Sequence, residues 1–121
     1  MWTTLPLVLA GLMGAAGVVL AALAAHAAAG AGLDGASRML LLHAVAVLAT
    51  SALTASGHLW GAAAHLATVG WIVGGTLFAG DVALRALTGH RLFPMAAPTG
   101  GTLLIVAWLI FALAAAAARR S

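Results

Sequence analysis

The sequence contains no cysteine and no lysine, and it has few charged residues of either sign. The absence of cysteine excludes disulfides, thiolate metal sites and cysteine nucleophiles. Only 6% of the 121 residues are charged, whereas a soluble domain carries about a quarter of its residues as charged side chains. A chain of this composition would not stay in water as a globular domain.

The hydrophobic residues make up 64% of the chain and are spread along its whole length, so no separate soluble domain is expected. The net charge of +3 comes from five arginines set against Asp34 and Asp81. A nucleic-acid binder gathers such charge into a patch, but here the arginines lie singly near the ends of apolar segments. They are interpreted as residues at a membrane edge, and nucleic acid is not expected as a partner.

Four apolar stretches are separated by short connectors. A helix needs about 20 residues to cross the hydrocarbon core of a bilayer, and irregular backbone is not tolerated against lipid. Short connectors join antiparallel neighbours. The sequence therefore predicts one all-α integral membrane domain, an antiparallel up-down bundle of four transmembrane helices. The predicted helices are Leu5 to Ala29, Met39 to Ser56, Ala62 to Leu87 and Pro98 to Ala118.

Abundant alanine and arginine without lysine is typical of a GC-rich genome. The first stretch is longer than the apolar core of a signal peptide and follows no basic residue, so it is interpreted as a retained helix. Arg119 and Arg120 lie on the side of the termini, and Arg38, Arg85 and Arg91 lie on the other side. The positive-inside rule thus favours termini outside the cytoplasm.

Small residues at helical spacing indicate the faces that pack, because they let helix backbones approach closely when lipid supplies no hydrophobic drive. Gly70 and Gly74 form a G-x-x-x-G pattern in the third helix, and Gly17 continues a glycine row in the first. The residues predicted to pack helices together are Gly11, Gly14, Gly70, Gly74, Gly80, Gly100 and Gly101.

Few polar residues interrupt the apolar stretches, and most of them fall in the same half of the predicted bundle. The candidates for a polar layer are His26, His43, Asp81, Arg85 and Thr99. Ionisable residues inside a membrane are costly and often functional, and the positive end of the fourth helix reaches this half. Two alternatives remain: Asp81 and Arg85 can be a structural i, i+4 ion pair, and the histidines can be hydrogen-bonded struts. No metal site is predicted.

Several short patterns resemble the YgdD-like family of small four-helix bacterial membrane proteins, which has no assigned function. The third helix carries the most specific patterns, a Gly-Trp pair at Gly70 and a later A-L-T-G that ends at Gly89. The matching positions are Ala21 to His26, His43 to Ala46, Gly70, Trp71, Phe78 to Gly80, Ala86 to Gly89, Pro98, Gly100, Gly101 and Trp108. Ala79 stands where the family has serine, and Asp81 to Ala83 depart from a usual S-L-Y. The resemblance implies a four-helix fold and a location in the bacterial cytoplasmic (inner) membrane, and it gives no residue a catalytic role.

Three functions are compatible with these observations. The first is a structural, accessory or assembly component, whose partners are the lipid bilayer and a larger membrane complex or further copies of the chain. The second is an oligomeric transporter or a proton- or ion-handling unit that uses the polar layer. The third is a haem- or metal-binding bundle with His26 and His43 as ligands. No nucleophile with a base is recognisable, so an enzyme is not expected, and no cofactor is assigned.

Overall fold

The computed structural model describes residues 3–26 and 32–118, and these residues form four helices without a strand. The helices are α1 (Thr4–His26), α2 (Leu33–Ala55), α3 (Gly61–Thr88) and α4 (Ala96–Ala118). All four are long and apolar enough to cross a membrane. The prediction of an all-helical chain with four such helices is confirmed.

Helix α2 begins at Leu33 and not at Met39, so the predicted start of the second helix is corrected. Asp34 lies in the first turn, where the helix dipole favours a carboxylate. It pairs with Arg38 one turn later, with 2.9 Å between the guanidinium nitrogen and the carboxylate oxygen. Polar residues therefore stabilise the first turns of α2. The predicted end of the first helix at Ala29 lies outside the described residues.

Each helix packs mainly against its neighbour in the sequence. The large interfaces join α1 to α2, α2 to α3, and α3 to α4, while α1 touches α3 only slightly. Within the described residues, no backbone contact joins α1 to α4. The four helices therefore form an open array, and the outer faces of α1 and α4 are available to the surroundings.

Helices α3 and α4 approach most closely at two glycines. A Cβ added to Gly74 would lie 2.8 Å from the carbonyl oxygen of Gly100, and one added to Gly100 would lie 2.6 Å from the backbone nitrogen of Phe78. Gly70 lies against Ala107 in the same interface, where an added Cβ would come within 2.8 Å of the alanine Cβ. Glycine at these positions permits backbone contact between the two helices.

The interface between α1 and α2 depends on Gly17. A Cβ at this position would lie 2.7 Å from Cγ of Leu41, and the buried hydroxyl of Ser37 donates a 2.7 Å hydrogen bond to the carbonyl oxygen of Gly17. Gly11 and Gly14 have no atom within 4 Å of an added Cβ. They lie on a part of α1 that no other described helix covers, so their packing role stays a prediction.

The centre of the array is formed by Trp71 of α3, which is fully buried. Val47 of α2 and Leu104 of α4 pack in the same cluster, where the remaining buried members are alanines. At one end, the backbone N–H of Trp60 donates a 2.9 Å hydrogen bond to the carbonyl oxygen of Ala114. This bond connects the loop between α2 and α3 to α4.

Candidate functional site

His43 is a buried polar residue near the middle of the array. Its side chain lies in α2, and only 2% of the residue is exposed. Nδ1 is 2.7 Å from the carbonyl oxygen of Met39, and Nε2 is 3.1 Å from Nε1 of Trp108 on α4. An indole N–H can only donate, so Nε2 accepts and Nδ1 carries the proton. His43 is therefore a neutral strut with both ring nitrogens engaged.

The His43–Trp108 bond continues into a cluster of aromatic rings between α3 and α4. The ring centroids of Trp108 and Trp71 are 4.7 Å apart, and Trp71 lies 5.7 Å from Phe111. The rings are inclined to one another by about 60° or less in these two contacts, as expected for aromatic pairs that avoid face-to-face overlap. Trp108 thus joins a polar contact on α2 to the apolar core.

Asp81 lies in α3 with only 3% of the residue exposed. Its Oδ1 accepts a 2.9 Å hydrogen bond from the backbone N–H of Leu92, in the loop between α3 and α4. The Leu92 side chain also packs over Gly80, where an added Cβ would lie 3.4 Å from Cδ1. Asp81 and Gly80 therefore hold this loop against the last turns of α3.

Arg85 lies one turn beyond Asp81 and has a more exposed side chain, at 43%. Its Nε is 4.0 Å from Oδ2 of Asp81, which makes a long ion pair. The terminal guanidinium nitrogens have no hydrogen bond to any described residue. The Arg85 side chain therefore extends from the array, and its terminal nitrogens are available as hydrogen-bond donors.

A groove of about 690 Å³ runs between α2 and α4 with α3 as its floor. His43 borders the groove on α2, and Arg85 borders it on α3. Trp108 and Thr102 border it on α4, with Thr102 near the start of that helix. The rest of the lining is almost entirely apolar. This groove is the candidate functional site, since it combines an apolar slot with an exposed guanidinium group.

The structure does not bring the five predicted polar-layer residues together. His26 and Thr99 are exposed, and His43 lies beside Gly75, about 9 Å from the level of Asp81 at 1.5 Å per helical residue. Among the described contacts, none joins His43 to Asp81 or Arg85. The described residues show two separate polar contacts, one between helices and one from helix to loop, and the single polar layer stays a prediction.

No three histidine or aspartate side chains in the described part of the chain lie close enough to hold a metal ion. His43 has both nitrogens in hydrogen bonds, and His26 is exposed at the end of α1. The arrangement therefore gives no support to a pair of axial ligands on these two histidines.

The sequence patterns missed the partners of the polar residues. The sequence patterns give Trp108 no polar partner, and nothing in the spacing links it to His43, 65 residues earlier. Leu92 contributes its backbone N–H, which no side-chain pattern reveals. Ser37 was assigned to a connector, although its neighbours Asp34 and Arg38 have the i, i+4 spacing of a helical ion pair.

Residues 13–101 match the sequence profile of a family described as a protein of unknown function, DUF423. The match extends from Met13 in α1 to Gly101 in α4 and therefore includes the Asp81 contact and most of the groove. The chain belongs to this family of uncharacterised proteins. No curated protein and no solved structure matches it.

Proposed function

We propose that this chain is an accessory component of a bacterial cytoplasmic membrane, in which α1 to α4 cross the bilayer in alternating directions. Lipid surroundings explain why large apolar side chains such as Leu12, Ile105 and Leu113 are more than 60% exposed, a pattern that is costly in water. The short loops favour alternating directions. The YgdD-like resemblance supports the same location.

The accessory role is supported above all by the uncovered face of α1. Between α1 and α3 lies an apolar groove of about 590 Å³, bordered by Leu12, Met13 and Ile72. Gly11 and Gly14 lie on α1 with open space around them. Small residues that face outward allow another helix to approach closely in a membrane, so this face suits a helix of a larger complex or of a second copy.

An ion-handling function has less support, because the buried polar groups are used within the protein. His43 bonds to Met39 and Trp108, and Asp81 bonds to Leu92. A proton path needs groups that can release one partner and take another. These contacts instead join elements of the fold.

The proposal is tested by placing a photoreactive amino acid at Leu12 and, in a separate variant, at Leu109. The two positions are 62% and 63% exposed, on α1 and α4 respectively, so they are matched in access to the membrane. Illumination of native membranes is expected to produce a discrete protein adduct at Leu12 and none at Leu109. Lipid adducts alone at both positions, or the same protein adducts at both, would contradict a docking role for α1.

A further inference from the structure

The groove between α2 and α4 has the shape and lining of a slot for a hydrocarbon chain. Phe78 and Val82 form its floor, Met39 and Leu42 lie on the α2 side, and Ile105 and Trp108 lie on the α4 side. Its volume of about 690 Å³ is within the range of about 300–1,000 Å³ typical of small-molecule sites. Gly101 has no side chain to project into the groove from α4, where an added Cβ would lie 3.9 Å from the Phe78 ring.

A single cation lies at the border of this apolar slot. Asp81 does not fully neutralise Arg85, because one carboxylate oxygen accepts from Leu92 and the other is 4.0 Å from Nε. The terminal nitrogens of Arg85 keep their donors for a ligand. A planar guanidinium fork matches the oxygens of a phosphate group. Ala97 and Pro98 also border the groove, which places the positive end of the α4 dipole nearby.

We propose that the groove binds one anionic phospholipid, with its phosphate on Arg85 and an acyl chain between α2 and α4. The inference rests on the proposed membrane location. The pairing of a cation with an apolar slot favours this occupant, because a free phosphate ion leaves the slot empty and a purely apolar molecule leaves Arg85 without an anion. A protein helix in the groove would need no phosphate.

The test uses the purified full chain in detergent and measures binding of phosphatidylglycerol and of phosphatidylcholine with identical acyl chains, by native mass spectrometry. The chain is expected to prefer phosphatidylglycerol. Arg85→Gln should weaken phosphatidylglycerol binding roughly fivefold, which corresponds to the about 1 kcal/mol that one basic residue contributes at an anionic membrane surface. Inorganic phosphate at the same concentration should not displace the lipid.

Arg91→Gln is the matched control, because it removes one arginine charge from the exposed loop outside the groove. It should leave the lipid preference unchanged. Gly101→Leu and Ile105→Trp fill the slot from the α4 side without a change in charge, and each should weaken binding of both lipids. Circular dichroism confirms that each variant is folded. If Gly101→Leu does not fold, Ile105→Trp is used to test the slot.

Three results would overturn the inference. Equal losses for Arg85→Gln and Arg91→Gln would indicate attraction by net charge alone. Displacement by inorganic phosphate would indicate an anion site without an acyl slot. Unchanged binding in a folded filling variant would exclude the groove. Because the assay needs no protein partner, its failure is distinct from the absence of an adduct at Leu12.

Discussion

Individual polar side chains in this protein connect helices and loops across an apolar interior. Where water is scarce, few water molecules compete for the donors and acceptors of a hydrogen bond. A buried polar group without a partner therefore lowers the stability of the fold. His43 binds Trp108, 65 residues later, and Asp81 binds the backbone of Leu92 in the loop that follows α3. The contribution of each contact can be measured because one partner can be removed at a time.

The His43–Trp108 contact should show direct energetic coupling. His43→Phe leaves the indole N–H without its acceptor, and Trp108→Phe removes the donor, so each variant should unfold at a lower denaturant concentration than wild type. Side-chain hydrogen bonds in membrane proteins contribute about 0.6 kcal/mol on average and up to about 1.7 kcal/mol. A double-mutant cycle of unfolding free energies should give a coupling in this range. A coupling of zero would show that the bond does not stabilise the fold.

Asp81 should matter more through Leu92 than through Arg85. Asp81→Leu removes the acceptor of the Leu92 N–H and is expected to lower the unfolding free energy by about 1–3 kcal/mol. Asp81→Asn keeps an oxygen acceptor and should cost less than half as much. Arg85→Leu should cost at most about 1 kcal/mol, because the ion pair is long and half-exposed. Chemical unfolding of the three variants provides the comparison.

The double variant Asp81→Leu/Arg85→Leu distinguishes the loop contact from an ion pair. If Asp81 acts on the loop, the two losses should add within about 0.5 kcal/mol, as for independent sites. A tight buried pair would behave differently, since removal of both charges would cost less than removal of one. A double variant more stable than Asp81→Leu would therefore contradict the loop assignment.

At the scale of the helices, replacement of glycine by alanine is expected to have opposite effects on stability at two positions. Gly74→Ala places a methyl group 2.8 Å from the Gly100 oxygen, and such overpacking costs about 1–3 kcal/mol. Gly11→Ala meets open space and should stabilise α1 by about 0.5–1 kcal/mol, since alanine is the better helix former. Unfolding of the purified variants measures both. Equal effects of the two substitutions would contradict the assigned interfaces.

The four helices were predictable because length and apolar composition alone determine them. Their detailed bounds were less so: Asp34 and Arg38 looked like loop residues, yet they stabilise the first turns of α2 through the helix dipole and an i, i+4 pair. Burial of Asp81 followed from the cost of a carboxylate in lipid. The partners Trp108 and Leu92 could not be predicted from the sequence. Their contacts depend on how the helices are rotated and on the path of the loop, and residue spacing along one helix gives no information on either.

At the scale of the whole molecule, the proposed alternating topology can be tested with single cysteines, since the sequence contains none. Thr3→Cys and His58→Cys should react with an impermeant maleimide from one side of sealed vesicles. Arg91→Cys should react only from the other side. The three positions precede α1 or lie in loops beyond helix ends, so substitution should leave the packing intact. Labelling of all three from one side would exclude the alternating arrangement.

The sequential packing of the helices also determines how the chain can assemble. All three large interfaces join helices that are neighbours along the chain, so each of these interfaces can form as soon as its second helix has been made. Local contacts of this kind are associated with fast folding. The Gly17, Ser37 and Leu41 contacts are complete once α2 has been synthesised, and α4 then docks on α3 and completes the His43–Trp108 bond. A ribosome that pauses beyond Ala55 would thus leave a paired helical hairpin, and its exposed apolar surface would be smaller than that of two separate helices.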